Sequence, residues 1–387
     1  MGTLRGEVAI IGGGIVGISM AYWLAKKGVS PIYLLERDVM LGTGSTERSA
    51  GGIRAQFSAE INVKLMIEGI RFYERFKREI GGEPEFIQAG YLFLVSSESM
   101  KLDFQRNVLL QRSLGLDVRE LTPADIARLA PYVRTDDLVY GTFCQTDGFA
   151  DPHGVIQGLW DRCKEMGVRI CFKSGVKSIR RQGDRILSLK TDDTEYEAGV
   201  FVNAAGAWSG EIAKLADAEV PVQPVRRMLF ITKPFPPDAN GIPATIPMTI
   251  DMETGFYMRR ESGGLMLGME DDGEPPGFNT ALTWEWLEVL LEKALPRVPA
   301  LEQLEMMRGW AGLYDQSPDH SAVLGLIPGL KNFYVVSGFS GHGFMQGPIA
   351  AKMVAELIVD GRASIDISPL RVGRFKEKQP IHEANVI

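Results

Sequence analysis

The run Glu7-Val8-Ala9-Ile10-Ile11-Gly12-Gly13-Gly14-Ile15-Val16-Gly17 restricts the fold more than any other feature: an apolar strand, a glycine turn and a helix start follow one another directly. Gly12 permits the tight turn, Gly14 lets the backbone approach a pyrophosphate, and Gly17 lets the helix lie against the strand. The helix start at Ile15 and Val16 then offers free N–H groups and the positive end of a dipole. An isolated Gly-x-Gly-x-x-Gly is weak evidence, but its surroundings agree with it. An amphipathic helical run from Ile15 to Lys27 stops at Gly28, and a second apolar strand, Pro31-Ile32-Tyr33-Leu34-Leu35, ends in Glu36. Glu36 follows Gly17 by about twenty residues, where such a unit places an acidic side chain on the ribose hydroxyls of an adenosine. The pattern predicts an α/β dinucleotide-binding unit at the start of the chain.

At 387 residues the chain exceeds one average domain, so two domains with substantial cores are expected. A net charge of −7 argues against a nucleic-acid partner. The three cysteines, Cys144, Cys163 and Cys171, form no Cys-x-x-Cys pair, which suits a reducing compartment, and the four histidines lie without ligand spacing; no metal site is expected. Val8 to Ala25 is uncharged and could pass for an anchor, but three consecutive glycines would break a spanning helix. No transmembrane segment is expected; the default is a cytoplasmic protein, with peripheral membrane attachment left open.

Beyond Glu36 a glycine-rich loop, Leu41 to Arg54, is too small and polar for core and suits the presentation of amides and hydroxyls to a ligand. Apolar residues from Ile61 to Ile80 recur at helical spacing. From Glu83 the texture changes: strands over Phe86 to Val95, a helix over Leu102 to Leu114, and a short helix over Pro123 to Leu129 after a Thr122 cap. A turn at Asp147 to Pro152 leads into a helix reaching Met166, then a strand over Val168 to Phe172. Val200-Phe201-Val202 runs into Asn203-Ala204-Ala205-Gly206-Ala207-Trp208, a second strand that ends in small residues and opens a helix. Pro221 to about Met307 has no nucleotide features and reads as the substrate side, with strands at Phe256 to Arg260 and Leu265 to Met269 and a helix near Trp284 to Ala294. Asn332 to Val336 is a strand leading to Gly338-Phe339-Ser340-Gly341-His342-Gly343-Phe344-Met345 and a helix reaching Val359, whose start is a further anion-stabilising dipole end.

These motifs, with Arg308-Gly-Trp-Ala-Gly-Leu-Tyr314 and Ser317-Pro-Asp319, resemble in order and over nearly the whole chain the FAD-dependent amino-acid oxidoreductases of the D-amino-acid oxidase superfamily. The likeness is strongest to the β subunits of L-proline dehydrogenase and sarcosine oxidase. The resemblance implies an α/β (α+β overall) fold: a Rossmann-like FAD domain of discontinuous segments, 1–82, 146–217 and 308–387, with an inserted mixed β-sheet substrate domain, 83–145 and 218–307. Carried over by position, Gly12, Gly14, Ile15, Val16 and Gly17 would line the pyrophosphate, Glu36 and Arg37 the adenosine, and Val176 the adenine side. Gly44, Ser45, Thr46, Ala50, Gly51 and Gly52 would face the flavin, and Ala204, Ala205, Gly206 and Trp208 the nucleotide. Gly312 and Leu313 belong to the same set, and Gly338, Gly341, His342, Gly343, Phe344 and Met345 to the pyrimidine edge, where the helix start would meet negative charge near N1 and C2=O. His342 reads as a spacer in the turn rather than a catalyst.

Departures from the family are informative. Several relatives tie FAD covalently to a cysteine in the Trp-Ala-Gly-Leu-Tyr region or to a histidine in the N-terminal loop, where this chain has Gly312 and Thr46-Glu47. FAD is therefore expected to be non-covalent. A histidine that carries FMN in some relatives falls on Pro152, with His153 one residue off, so no second flavin is expected. The arginine that holds the substrate carboxylate in glycine oxidase is Tyr314 here, and Arg54 falls on the arginine that monomeric sarcosine oxidase uses instead. Tyr257, Arg259, Glu270 and Tyr314 are secondary pocket candidates. A lysine over the flavin that promotes reaction with oxygen in monomeric sarcosine oxidase falls on Met266, which argues for a dehydrogenase.

The resulting expectation is an FAD enzyme that takes hydride from a small amino acid or secondary amine onto flavin N5, giving an imine that water hydrolyses. Its acceptor would be a quinone, a dye or a partner flavoprotein subunit, with membership of a hetero-oligomer left open. A 2-hydroxy-acid or glycerol-3-phosphate oxidoreductase of the same fold and a non-catalytic FAD-containing assembly protein are the alternatives.

Overall fold

Gly2–Ile11 forms β1, and its last four residues are buried, as the unbroken apolar run requires of a strand covered on both faces. The structure, a computed structural model, describes residues 2–385. After the glycine turn come α1 (Ile15–Lys26) and β2 (Ile32–Leu35), then a short β3 (Gly52–Ile53) and the long α2 (Glu60–Glu79). β4 (Tyr91–Val95), α3 (Glu98–Ser113), β5 (Val118–Leu121), α4 (Pro123–Leu129) and β6 (Tyr140–Cys144) follow. β7 (Gly148–Phe149) leads to α5 (Pro152–Glu165), β8 (Arg169–Cys171), the hairpin β9 (Ser178–Gln182) and β10 (Arg185–Lys190), β11 (Thr194–Asn203) and α6 (Ser209–Lys214). Next are β12 (Gln223–Thr232), β13 (Met248–Asp251), β14 (Tyr257–Glu261), β15 (Gly264–Gly268) and α7 (Glu285–Ala294). The last elements are β16 (Met306–Gln316), β17 (Val323–Leu326), β18 (Phe333–Ser337) and α8 (Gly343–Asp360).

The first sheet runs β17-β18-β11-β1-β2-β8, with β10 and β9 added beside β11. β18, β11, β1, β2 and β8 are mutually parallel, so Leu35, Ile11, Asn203 and Ser337 all end at one edge. Helix α1 packs on α5 and α8 as well as on this sheet. Every residue from Ile15 to Tyr22 is therefore buried, and the amphipathic reading of this helix gives way to one apolar nearly all round. Two other helix starts agree with their caps. Thr122 and Asp125 form a capping box, and the Asp151 carboxylate accepts from the His153 and Gly154 N–H groups. α3 begins a turn earlier than its apolar pattern, because Ser97 caps it by accepting from Met100 N–H.

The second sheet runs β16-β12-β15-β14-β13-β4-β6-β5 and is antiparallel except for the pair β4 and β13. It collects strands from three separated stretches, 91–144, 223–268 and 306–316. The expected boundary at 307/308 falls inside β16, which pairs with β12 from Gln223↔Gln316 to Thr232↔Met306. Residues 308–316 thus run in the second sheet. β12 was not anticipated, because Pro224 and the adjacent Arg226 and Arg227 obscure its alternation. No helix among the described residues is long and apolar enough to cross a membrane, and no group of three metal-ligating side chains occurs among them.

The fingerprint glycines are demanded by backbone packing. A Cβ on Gly17 would stand 1.8 Å from the Gly12 carbonyl oxygen, and one on Gly12 would stand 2.5 Å from the Ala204 carbonyl oxygen at a φ of +101°. Neither neighbour is a side chain that can turn away. Gly17→Ala is expected to cost about 1–3 kcal/mol or more, as overpacking against backbone does. Thermal unfolding of the ligand-free protein measures this, and an unchanged melting temperature would refute the account.

Candidate active site

A cavity of about 540 Å³ opens at the carboxyl edge of the first sheet and is closed on its other side by residues of β12, β13, β14 and β16. At the first-sheet end it is lined by Gly12, Gly14, Ile15 and Val16 and by Glu36 and Arg37. Gly14, the N-cap of α1, supplies no side-chain cap, and Ile15 N–H donates to Thr46 Oγ1 at 3.1 Å. The Glu36 carboxylate accepts from Gly13 N–H at 2.7 Å and from Asp38 N–H at 2.9 Å, so it first holds the turn; a carboxylate has about four acceptor positions, which leaves two for ribose hydroxyls. The Arg37 guanidinium stacks 3.6 Å above the Trp208 ring, whose other neighbour is Phe278 at 5.3 Å. Trp208, Ala204, Ala205, Gly206 and Val176 line the same end.

A second helix start faces the same space. Gly341, His342, Gly343, Phe344 and Met345 line the cavity, and His342 as N-cap of α8 supplies no side-chain cap. Two long helices thus turn N-termini without a cap of their own toward one cavity, with the Ile15 N–H of α1 taken by Thr46. A ligand with two separated electron-rich groups satisfies both, as the pyrophosphate and the pyrimidine edge of a flavin dinucleotide would.

Between them the loop carrying Gly44, Ser45, Thr46, Ala50, Gly51 and Gly52 lines the wall with Gly312 and Leu313. It is fastened to β16: Ser45 Oγ donates to the Leu313 carbonyl at 2.6 Å, Arg48 to the Ala311 carbonyl at 3.1 Å, and Trp310 Nε1 to the Arg48 carbonyl at 3.0 Å. Gly312 is small because Arg48 crosses it, with Arg48 Cβ 3.0 Å from where a Cβ would stand. Gly52 is small because the Tyr91 hydroxyl lies 2.0 Å from the same position on it.

The other end gathers Arg54, Tyr91, Tyr257, Tyr314 and Arg227 with the apolar Leu229, Met248 and Ile250. Arg54 is 1% exposed and forms no ion pair among the described residues. Its guanidinium donates to the Gln56 carbonyl at 2.8 Å and to the Asn385 carbonyl, contacts His342 Nε2 at 3.1 Å, and lies 4.0 Å above the Phe57 ring. Burial lowers its pKa, which Glu383, Tyr91 and Asp147 oppose. Burial, and then the Arg54 charge, push His342 well below its usual range, so it is neutral and accepts from Arg54. Burial pushes Tyr314 up to about 12 and raises Tyr91 and Tyr257 too, which leaves three neutral hydroxyls at this end.

Several expected residues stand elsewhere. Gly17 and Gly338 are off the cavity wall; Gly338 packs on Val323 and Val222. Glu270 lies behind Arg227 and pairs with it at 3.2 Å, so its work is to neutralise that guanidinium. Arg259 is taken up by Glu261 at 2.7 Å and by the Ala50 carbonyl at 2.8 Å. Met266 is 2% exposed in a cluster with Leu229 and Ile231; it shares the cavity-facing side of the sheet with Leu229 and Tyr257 but is not on the wall, because Ala50, Tyr257 and Trp310 pack over that cluster. The cations that do line the cavity are Arg48, Arg54 and Arg227, with Arg37 and Lys177 at the nucleotide end. Arg227 and Tyr91 went unread in the sequence. One signal was available for Tyr257: it pairs with Gly268, whose missing side chain leaves room for the tyrosine ring.

The sequence model of the family described as DAO, FAD dependent oxidoreductase, matches residues 7–357. FAD-dependent oxidoreductase domain-containing protein 1 of Bos taurus is 32% identical, across 96% of this chain and 85% of that protein. Mitochondrial dimethylglycine dehydrogenase of Rattus norvegicus is 28% identical across 96% of this chain, which spans 45% of that protein. Among solved structures, L-proline dehydrogenase from P. horikoshii superposes with a TM-score of 0.90 at 31% identity, covering 97% of this chain and 99% of that one. Glycine oxidase from Geobacillus kaustophilus superposes with a TM-score of 0.83 at 23% identity, covering 96% and 99%, and bears on the fold alone.

Behind Arg54, the Asp147 carboxylate is fully buried and accepts from Ala55 N–H at 2.9 Å and Gln56 Nε2 at 3.0 Å. Burial pushes it up to about 7, against the pull of Gln56, Ala55 and Arg54. The folded protein keeps a proton that the unfolded chain releases near pH 4, so the contribution of this group to stability falls as pH rises from about 4 to about 7 and is level above. Asp147→Asn removes that fall. Its stability relative to the parent should improve between pH 5 and pH 8 by on the order of 1–3 kcal/mol in denaturant unfolding; an identical difference at both pH values would refute it.

Proposed function

The chain belongs to the DAO family of FAD-dependent oxidoreductases, and from that premise we propose that it dehydrogenates a small amino acid or secondary amine of the proline, sarcosine or N-methyl amino-acid kind. The observation that carries the reading is Arg54: a buried guanidinium with no carboxylate partner, at the cavity end opposite the dinucleotide fingerprint. A buried cation without an ion-pair partner is most readily completed by a ligand carboxylate, held by charge-assisted bonds from the N–H groups that remain free. Leu229, Met248 and Ile250 supply an apolar wall for the substrate's aliphatic part, and the neutral hydroxyls of Tyr91, Tyr257 and Tyr314 supply donors that orient it. Bound FAD supplies the acceptor for the hydride that leaves the substrate carbon. The protein's task is to bind the substrate as the neutral amine, to keep the carbon facing that acceptor and to exclude water; the imine product is hydrolysed by water.

A specific observation favours an amine over a 2-hydroxy acid. Oxidation of an alcohol needs a base for the hydroxyl proton. The histidine on the wall, His342, has its Nε2 engaged by Arg54 and is held far below its usual pKa, and the Asp315 carboxylate, also on the wall and pushed up to about 6 by burial, is engaged by Ser337 Oγ and Gly338 N–H. A neutral amine needs no such group. The likeness to a proline dehydrogenase at 31% identity and to a dimethylglycine dehydrogenase at 28% supports the same substrate class. It also supports a dehydrogenase, with a quinone, a dye or a partner flavoprotein as acceptor. The oxygen argument from Met266 no longer contributes, because that side chain is off the wall while Arg48 is on it.

Anaerobic mixing of the holoenzyme with a panel of amino acids, N-methyl amino acids and 2-hydroxy acids tests the reading: the flavin should bleach with the first two groups and not with the third. Arg54→Lys keeps the charge and loses the fork. It should raise KM at least tenfold with FAD content unchanged, and an unchanged KM would reject the anchor. None of Cys144, Cys163 and Cys171 lies on the wall. Acid precipitation should therefore release the flavin as FAD; flavin retained in the pellet would contradict a non-covalent cofactor.

A further inference from the structure

We infer that the segment 381–385 is a working part of the anion subsite, holding the Arg54 guanidinium in the orientation that receives a carboxylate. The inference rests on Arg54 being that anchor. The segment is fixed at both ends. Ile381 N–H donates to Asp319 Oδ2 at 2.9 Å, and Asp319 is itself paired with the buried Arg374 at 2.7 Å. Glu383 sits at the N-terminus of α2, whose own N-cap Ala59 has no side chain to offer. Its carboxylate accepts from Ser58 N–H at 2.9 Å, Ser58 Oγ at 2.8 Å, Ala59 N–H at 3.1 Å and Asn62 Nδ2 at 2.9 Å. A carboxylate brought from more than three hundred residues away thus caps a long helix at its positive end.

That cap delivers Asn385. The residue is 1% exposed; its carbonyl accepts from Arg54, and its side-chain amide donates at 3.1 Å to the Gln56 carbonyl, which also accepts from Arg54 at 2.8 Å. Arg54 and Asn385 therefore converge on one oxygen. A guanidinium has five N–H groups. With Gln56 taking one N–H of Nη1 and Asn385 and His342 taking both of Nη2, the guanidinium is fixed in plane, and the Nε N–H and the second Nη1 N–H remain for a ligand. No residue of 381–385 lines the cavity, so the segment bears on the far side of the guanidinium and leaves the near side open. Glu383 and Asn385 are positioning residues: the remaining N–H groups of a planar guanidinium meet a carboxylate well only when the group is held in orientation.

The test uses acetate as the probe, titrated into the oxidised FAD-loaded protein and followed by the flavin difference spectrum. A chain ending at Pro380 and Glu383→Ala should each weaken acetate binding at least fivefold. Glu383→Asp, which keeps both acceptor oxygens on a shorter stem, should recover part of the loss. FAD content should stay at the parent level. In an Arg54→Lys background the same changes should add nothing, since coupled residues are not additive. If the shortened chain fails to load FAD, Glu383→Ala decides. Acetate binding that is unchanged or tighter in Glu383→Ala, while Arg54→Lys weakens it, overturns the role of the segment and leaves the anchor standing. Acetate binding that survives Arg54→Lys, or no acetate response in the parent protein, overturns the anchor and this inference with it.

Discussion

The contact on which the rest depends is between backbone and backbone: the Gly12 carbonyl lies where a side chain on Gly17 would stand. That approach sets α1 against β1, and β1 lies between β2 and β11 in the parallel part of the first sheet. Because these strands are parallel with β18, their following turns all emerge at one edge, where a doubly wound sheet leaves room for a ligand. The α1 and α8 N-termini reach the cavity by this route, and neither spends a side chain on capping itself. The electrostatic character of the cavity at both helix starts thus comes from peptide dipoles whose positions are set by strand pairing.

The opposite end is built from side chains, and its cost is the burial of charge. Taking a guanidinium out of water costs several kcal/mol when nothing compensates it. Around Arg54 compensation comes from carbonyls of Gln56 and Asn385, the neutral His342 ring, and the face of Phe57. The nearby carboxylates, Glu383 and Asp147, are each occupied with backbone and amide N–H groups, so they favour the charge from a distance without cancelling it. The loop that carries Arg54 is held to the second sheet through Ser45, Arg48 and Trp310. The two sheets are therefore coupled through the stretch that lines both ends of the cavity.

This division explains what could be read from the chain. The nucleotide end was legible because its requirement is a spacing of glycines between a strand and a helix, which composition and order state directly. Capped helices such as α4 and α5 were legible for the same local reason. The second sheet was not, since it assembles from three stretches, and β12 carries Pro224 and two arginines within a strand. Arg227 and Tyr91 belong to that sheet and reach the wall only through its pairing. Glu270 and Met266 illustrate the converse: both sit in or beside the Gly-Leu-Met-Leu-Gly strand as the motif implied, yet the Arg227 pair holds Glu270 off the wall, and Ala50, Tyr257 and Trp310 pack over the cluster that holds Met266. The segment 381–385 carried no signal at all, because a glutamate that caps a helix over three hundred residues earlier leaves no local pattern.

Several arginines surround the substrate end, and their partners separate them. Arg227 is neutralised by Glu270 at 3.2 Å and Arg259 by Glu261 at 2.7 Å. An anion approaching either would compete with a carboxylate already in place, and the net attraction would be small. Arg54 is in direct contact only with neutral acceptors, so an anion beside it gains a Coulomb term that Glu383 and Asp147 supply only from a distance. In a partly desolvated site that term exceeds its value in water several-fold. Identity of charge and proximity to the cavity do not distinguish Arg227 from Arg54; the absence of a carboxylate partner does, and full burial separates Arg54 from the half-buried Arg48, which also lacks one, so Arg54 is the anchor we propose.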